Sequence, residues 1–177
     1  VMVVGTLAIG QTLIILTAGV DLSVGFVALL SSIVMAKMSA DVGMPGVAAI
    51  AVGLVCGVAC GLLNGVLVAK VRLPPFIVTL GTLQIFSSLT FWYSNSATIV
   101  GQDMSSTLLW TGNSFRIGGT LVTYGSVLML VLFAVMMFVL RSTAWGRHLY
   151  ATGDDVEAAR LAGIRTQRVL VSAYVVA

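Results

Sequence analysis

The chain has 177 residues, 59% of them hydrophobic and only 8% charged, with a formal net charge of +3. An ordinary soluble domain carries about 25% charged residues. So sparse a set cannot coat a water-soluble globule, which argues against a cytosolic enzyme, a nucleic-acid binder or a disordered tail. The mean hydropathy of +1.10 points to a protein solvated mostly by lipid. Its few charges are therefore read as membrane topology.

The apolar runs fall, in chain order, at 1–20, 22–36, 47–69, 76–93, 120–140 and from 169 onward. A spanning helix needs about 17–25 residues, and the second run reaches that only by continuing past Lys37 toward Ala40. The expectation is an all-α, polytopic transmembrane helical bundle of about five spans plus the start of a sixth. The last run holds about nine residues, a rise of about 14 Å against a hydrocarbon core of about 30 Å. With Val1 already inside an apolar stretch, the chain reads as one membrane domain, 1–177, incomplete at both ends. Period-two alternation is absent from the runs, so a barrel is not expected.

The punctuation agrees with these boundaries. Pro45, Pro74 and Pro75 lie just before or at the start of a run, where the first helical N–H groups have no partner to lose. Trp92, Trp110 and Trp145 lie near run ends or in connections, as in an interfacial aromatic belt. Lys70, Arg72, Arg141, Arg147, Arg160, Arg165 and Arg168 fall in odd-numbered connections, and only Lys37 and Arg116 in even ones. The positive-inside rule puts the odd connections in the cytoplasm and 102–119 outside.

The inventory of reactive groups is small. Cys56 and Cys60 lie four apart in an apolar run and read as packing residues. His148 is alone, so neither a metal site nor a catalytic constellation is expected. Lys37 and Lys70 each follow an alanine, which excludes a phosphate-cradling G-K-[ST] loop.

Three features stand out. In the turn G-V-D-L-S-V-G, 19–25, Gly19 suits a left-handed helix end and Asp21 or Ser23 a helix cap. The turn reads either as a tight cytoplasmic hairpin or as a broken helix lining a polar path. Asp21, an acid between two apolar runs, is the best intramembrane site candidate. Gly53, Gly57, Gly61 and Gly65 form a small-residue stripe expected to pack closely on another helix or at a subunit seam. Asn64 sits beside the stripe, free to bond across helices or to a ligand.

The third feature is the connection 141–168, long for a mere link between helices. Within T-G-D-D-V-E-A-A-R-L-A-G-I, Asp154 is placed to cap a helix while Glu157 reaches back in a capping box, and Gly163 suits the left-handed residue beyond its end. The expected helix covers 155–162. It reads either as a surface helix on the membrane or as a docking element, with Ala158, Ala159 and Ala162 small enough for a partner's cleft.

The residues 157–163, E-A-A-R-L-A-G, resemble the E-A-A-x-x-x-G loop by which permease subunits of bacterial ABC importers engage their ATPases. The longer stretch G-R-H-L-Y-A-T-G-D-D-V-E-A-A-R-L-A-G-I, the G-V-D-L-S-V-G turn and R-L-P-P-F-I-V-T-L-G, 72–81, resemble monosaccharide permeases of the ribose, xylose and fructose type. The family's usual asparagine-like residue after A-T-G is here Asp154.

The resemblance implies a non-catalytic subunit of the bacterial inner membrane. Its partners would be an ABC ATPase holding ATP and Mg, a periplasmic sugar-binding protein, membrane lipid and a second permease subunit, with no cofactor on this chain and no nucleic acid. It assigns ATPase coupling to Asp154, Glu157, Ala158, Ala159 and Gly163. The hydroxyls and amides inside the runs suit a neutral polyol, with Asp21, Asn64, Thr79 and Gln84 as candidate path residues. Ser and Thr there can equally bond back to their own helices. Branched-chain amino-acid or nucleoside permeases, and an ion-coupled secondary transporter, are the alternatives.

Overall fold

The computed structural model describes residues 2–95, 99, 101 and 104–177. Val1, with which the first run opens, and Gln102 and Asp103 in the expected outer connection lie outside the described residues. The chain folds as an all-α bundle carrying one small hairpin. Its helices are α1 (Met2–Leu16), α2 (Val24–Ala40), α3 (Gly46–Ala69), α4 (Pro75–Ser94), α5 (Ser106–Leu109), α6 (Tyr124–Ser142), α7 (Ala144–Asp154), α8 (Val156–Leu161) and α9 (Thr166–Val176).

Among the described residues, three helices are long and apolar enough to cross a membrane: α3 with 24 residues, α4 with 20 and α6 with 19. At 1.5 Å per residue they rise about 36, 30 and 28 Å. The first run was expected to span as 1–20, but α1 has only 15 residues. It stops in a turn that satisfies the last carbonyls: that of Ile14 accepts from Thr17 N–H, the Thr17 hydroxyl and Gly19 N–H, and that of Ile15 from Ala18 N–H. The left-handed residue that permits this is Ala18, at φ 55°, and not Gly19. The second helix does run past Lys37 to Ala40, reaching 17 residues. Lys37 is held at its end by Asp41 at 3.3 Å and by the Tyr93 carbonyl at 3.2 Å.

The expected fifth run, 120–140, divides. Its first four residues form strand β2 (Thr120–Thr123), antiparallel to β1 (Ser114–Ile117). Gly118 and Gly119 join them with φ of 55° and 87°, the two positive angles that a two-residue hairpin turn requires. Thr123 then caps α6, its hydroxyl oxygen accepting from Ser126 N–H at 3.2 Å.

The glycine stripe does pack closely, but on two helices. A Cβ at Gly53 would strike Met35 on α2, and one at Gly57 would lie 3.3 Å from Ser31 Oγ. At Gly61 it would strike the Tyr174 carbonyl on α9, and at Gly65 it would lie 3.0 Å from Val171 Cα. A spacing of four overshoots a 3.6-residue turn by about 40° per step. Over three steps the stripe winds from α2 round to α9. It is a seam within this chain.

The core lies where α1, α7 and α9 meet, around Leu13, Ile14, Leu149, Val169, Ala173 and Tyr174. A second cluster joins Leu30, Cys60 and Phe86 of α2, α3 and α4, so Cys60 packs as an apolar residue. The odd connections gather at one end of the bundle. Gly153 presses on the Leu16 carbonyl at the end of α1, and the 70–75 connection shares a cleft with α8 and α9. The even connections gather at the other end, where Ser105 N–H donates to Ser39 Oγ at 2.9 Å and Gly125 lies beneath Met2.

Candidate functional site

Two arrangements bring the singled-out residues together. The first is the segment between α1 and α2. From Thr17 to Ser23 burial alternates residue by residue, with Thr17, Gly19, Asp21 and Ser23 inward and Ala18, Val20 and Leu22 outward. The segment is neither helix nor strand, with Ala18 left-handed at φ 55° and Ser23 already near helical angles, yet every second side chain turns into the protein. The polar members take the inner positions, where they find partners.

Asp21 Oδ1 accepts from both the N–H and the hydroxyl of Ser23, each at 2.7 Å. Asn64 Nδ2 donates to Ser23 Oγ at 2.8 Å. The order of this chain is forced. Ser23 has one hydroxyl proton and gives it to a carboxylate that can only accept, so its oxygen must receive from Asn64. The amide NH2 of Asn64 therefore faces Ser23, and its carbonyl oxygen faces away. Asp21 is 8% exposed, Asn64 1% and Ser23 0%.

Thr79 on α4 closes the other side, its hydroxyl lying 2.9 Å from the Pro75 carbonyl and 3.3 Å from that of Val20. Asn64 lies five residues before the end of α3 and Thr79 four after the start of α4. The turn is thus recessed about 6–8 Å inside those helix ends. It is neither a loop on the bundle surface nor a break at mid-length.

Three of the four candidate path residues, Asp21, Asn64 and Thr79, meet here. Gln84 does not: it lies exposed on the opposite side of α4. Most of the other hydroxyls bond back to their own helices, Thr12 to Ala8 at 2.7 Å, Thr17 to Ile14 at 2.8 Å and Thr90 to Phe86 at 2.7 Å. A cavity of about 240 Å³ opens beside the turn between α2, α3 and α9, with Asp21, Ser31, Asn64 and Tyr174 among its lining. Nothing in their neighbours along the chain marks Ser31 and Tyr174 as site residues; only the packing of α2 and α9 does.

The second arrangement is α7 and α8 on the end where the odd connections gather. The connection 141–168 is mostly helical. Thr143 caps α7, accepting from Gly146 N–H at 3.2 Å, and Trp145 Nε1 donates to Ser172 Oγ on α9 at 2.8 Å. Two glycines within G-R-H-L-Y-A-T-G disguised this helix. Both are there for close approach, Gly146 to Leu140 and Gly153 to Leu16.

The expected cap is displaced by one residue. Asp154 is the last residue of α7, and the cap of α8 is Asp155, whose Oδ1 accepts from Glu157 N–H at 2.8 Å and Ala158 N–H at 3.0 Å. No capping box forms, since Glu157 is then too early to reach back. It pairs instead with Arg160 at 3.3 Å, both exposed, an ion pair of small energetic weight. The far end is as expected: Gly163 has φ 86°, with Gly163 N–H bound to the Arg160 carbonyl and Ile164 N–H to that of Ala159, both at 3.0 Å.

Ala159 faces inward and is buried, so it seats the helix on the bundle. Ala158, Leu161 and Ala162 face out, and Leu161 is 84% exposed. A cleft of about 430 Å³ separates Glu157 and Arg160 from Arg72 and Pro74. Among the described residues, no three His, Cys, Asp or Glu side chains gather to hold a metal ion.

The chain belongs to the branched-chain amino acid transport system / permease component family, whose family model matches residues 1–177. It is 49% identical over 177 residues to the fructose import permease protein FrcC of Rhizobium meliloti, covering 98% of this chain and 49% of that protein. It is 35% identical over 170 residues to the ribose import permease protein RbsC of Bacillus subtilis (strain 168), covering 96% of this chain and 52% of that one. It is 32% identical over 169 residues to the autoinducer 2 import system permease protein LsrC of Escherichia coli (strain K12 / DH10B), covering 95% and 47%. The chain thus spans about half the length of the curated relatives it matches. No solved structure matches it.

Proposed function

We propose that this chain is part of the membrane-spanning permease subunit of an ATP-driven importer that carries a monosaccharide across the bacterial inner membrane. The observation that carries this reading is α8: a six-residue helix held at both ends, seated by Ala159, and presenting Leu161 to the outside in a chain of permease-component sequence. A helix this short does not persist in water by itself. Its two caps and its seat give it a defined shape for a partner to grip. Glu157, Ala158 and Gly163 belong to that docking element as exposed, shape-defining residues, and Ala159 as its anchor. Asp154 contributes through the junction with α7.

In this reading α1, α2, α3, α4 and α6 are the spans and α9 begins a sixth. ATP and Mg are held by a separate ATPase, a periplasmic binding protein delivers the sugar, and a second permease subunit completes the path. The chain has no catalytic part in this scheme. Similarity to a fructose import permease leans the substrate toward hexose or pentose rather than toward a branched-chain amino acid. The recessed turn around Asp21, Asn64 and Thr79 is the polar part of the route.

The test is copurification of the full-length protein with the ATPase encoded beside it, together with uptake of labelled fructose, ribose and leucine into proteoliposomes. Leu161→Asp and Gly163→Arg are expected to abolish both ATPase capture and uptake. Capture and uptake unchanged in both variants would refute the docking role.

A further inference from the structure

Asn64 Oδ1, Ser31 Oγ and Tyr174 OH are all buried and, among the described residues, have no hydrogen-bond partner. Asn64 is 1% exposed and Tyr174 4%. An unsatisfied buried polar atom costs about 1–3 kcal/mol; with Gln11 Oε1 and Thr152 Oγ1 the described residues hold five, and the three that share one cavity call for an explanation. The three residues come from α3, α2 and α9, remote from one another in sequence, yet all of them line the cavity beside the recessed turn. Its volume of about 240 Å³ is just under the roughly 300–1,000 Å³ of small-molecule sites.

We infer that this cavity is a binding site for a neutral polyhydroxylated ligand. Asn64, Ser31 and Tyr174 supply its hydrogen bonds, while Asp21 acts as a positioning residue through Ser23. The inference rests on the importer reading for the identity of the ligand as a sugar. The donor set carries the chemistry. Asn64 Oδ1 only accepts, whereas the serine and tyrosine hydroxyls both donate and accept. A ligand hydroxyl can do either, so a polyol satisfies all three at once.

Charged ligands fit less well. No Lys or Arg is among the described residues that line the cavity, so a carboxylate would find no cation and would meet Asp21 instead. Asp21 itself is engaged, one oxygen accepting two bonds from Ser23. Its role is to hold the Ser23 hydroxyl, which in turn takes the Asn64 amide and turns Asn64 Oδ1 away from the turn.

The test uses full-length protein in which all native cysteines, Cys56 and Cys60 among them, are replaced by alanine and Ala28→Cys provides one reporter on the cavity wall. Alkylation of that cysteine by N-ethylmaleimide is followed with fructose, ribose or leucine present. At least fivefold slower labelling is expected with a sugar and none with leucine. That protection is expected to vanish in Asn64→Leu, Tyr174→Phe and Asp21→Ala, and to persist in Asp21→Asn, whose side-chain oxygen still accepts from Ser23. Labelling unaffected by either sugar, as for a cavity holding only water, would overturn the proposal. So would equal loss of protection in Asp21→Asn and Asp21→Ala, since the charge itself would then be the contact. Because this readout needs no ATPase, protection without ATP-driven uptake would support the site while sinking the importer reading.

Discussion

The segment between α1 and α2 and the segment around α8 use the same local devices in opposite surroundings. Each stops a helix with a left-handed residue, Ala18 in one and Gly163 in the other, and each has an Asp accepting a backbone N–H two residues on. Around α8 the devices stand at the surface, and water would replace any bond that broke. In the recessed turn they are buried, and each bond is one link in a chain reaching α3. The lesson is that the same motif defines shape when exposed and holds tertiary structure when buried.

The sharpest way to break that contrast is to remove one link from each. Ser23→Val strands both the Asn64 amide and the Asp21 carboxylate, at a cost of about 2–4 kcal/mol. Asp155→Ala loses an exposed cap, worth about 1 kcal/mol. In detergent, Ser23→Val is expected to lower the melting temperature of the full-length protein well below that of Asp155→Ala. Equal shifts would mean that burial of the turn contributes nothing.

An effect on the scale of the Asp155 cap, confined to one turn, is expected at the far end of α8. Gly163 has φ 86°, and a Cβ there would meet nothing within 4 Å. Gly163→Ala therefore costs only the backbone strain of about 1–2 kcal/mol. That strain is local to 156–164. It is expected to weaken ATPase capture severalfold while leaving the melting temperature within a degree or two of the parent, as a titrated pull-down and a melting curve would reveal.

The smallest effect is at Ala18, which already bears that strain at φ 55° on an exposed position. Ala18→Gly relieves the strain but loosens the unfolded chain by about 0.5–1 kcal/mol. The expected outcome is a melting temperature unchanged or slightly raised. A marked loss would show that the Ala18 methyl packs against something outside the described residues.

Legibility followed the range of the interactions. The end of α8 at Gly163 could be read from seven residues, and the extension of α2 to Ala40 from the length a span requires. The cap was misplaced by one residue because Asp154 and Asp155 are adjacent and chemically alike. Only the path of α7 decides which of them leaves the helix. The hairpin at 114–123 was legible in Gly118-Gly119, but the apolar reading of 120–140 masked it. Glycine in α7 reads as a helix breaker until its neighbours, Leu140 and Leu16, are known.

The sequence by itself determined the solvent, the approximate runs, the end of the bundle that carries the positive charge and the glycine stop of α8. These depend on composition or on residues within about four positions of one another, and they hold wherever the helices lie. Only the tertiary structure decided what Asp21 and Asn64 do. The bond from Asn64 to Ser23 spans 41 positions and that from Thr79 to Val20 spans 59, and neither exists until α2, α3 and α4 pack. The same packing turned one glycine stripe toward two helices. It also left three unpartnered polar atoms around one cavity, because how closely helices approach is set by the side chains on both sides of the seam.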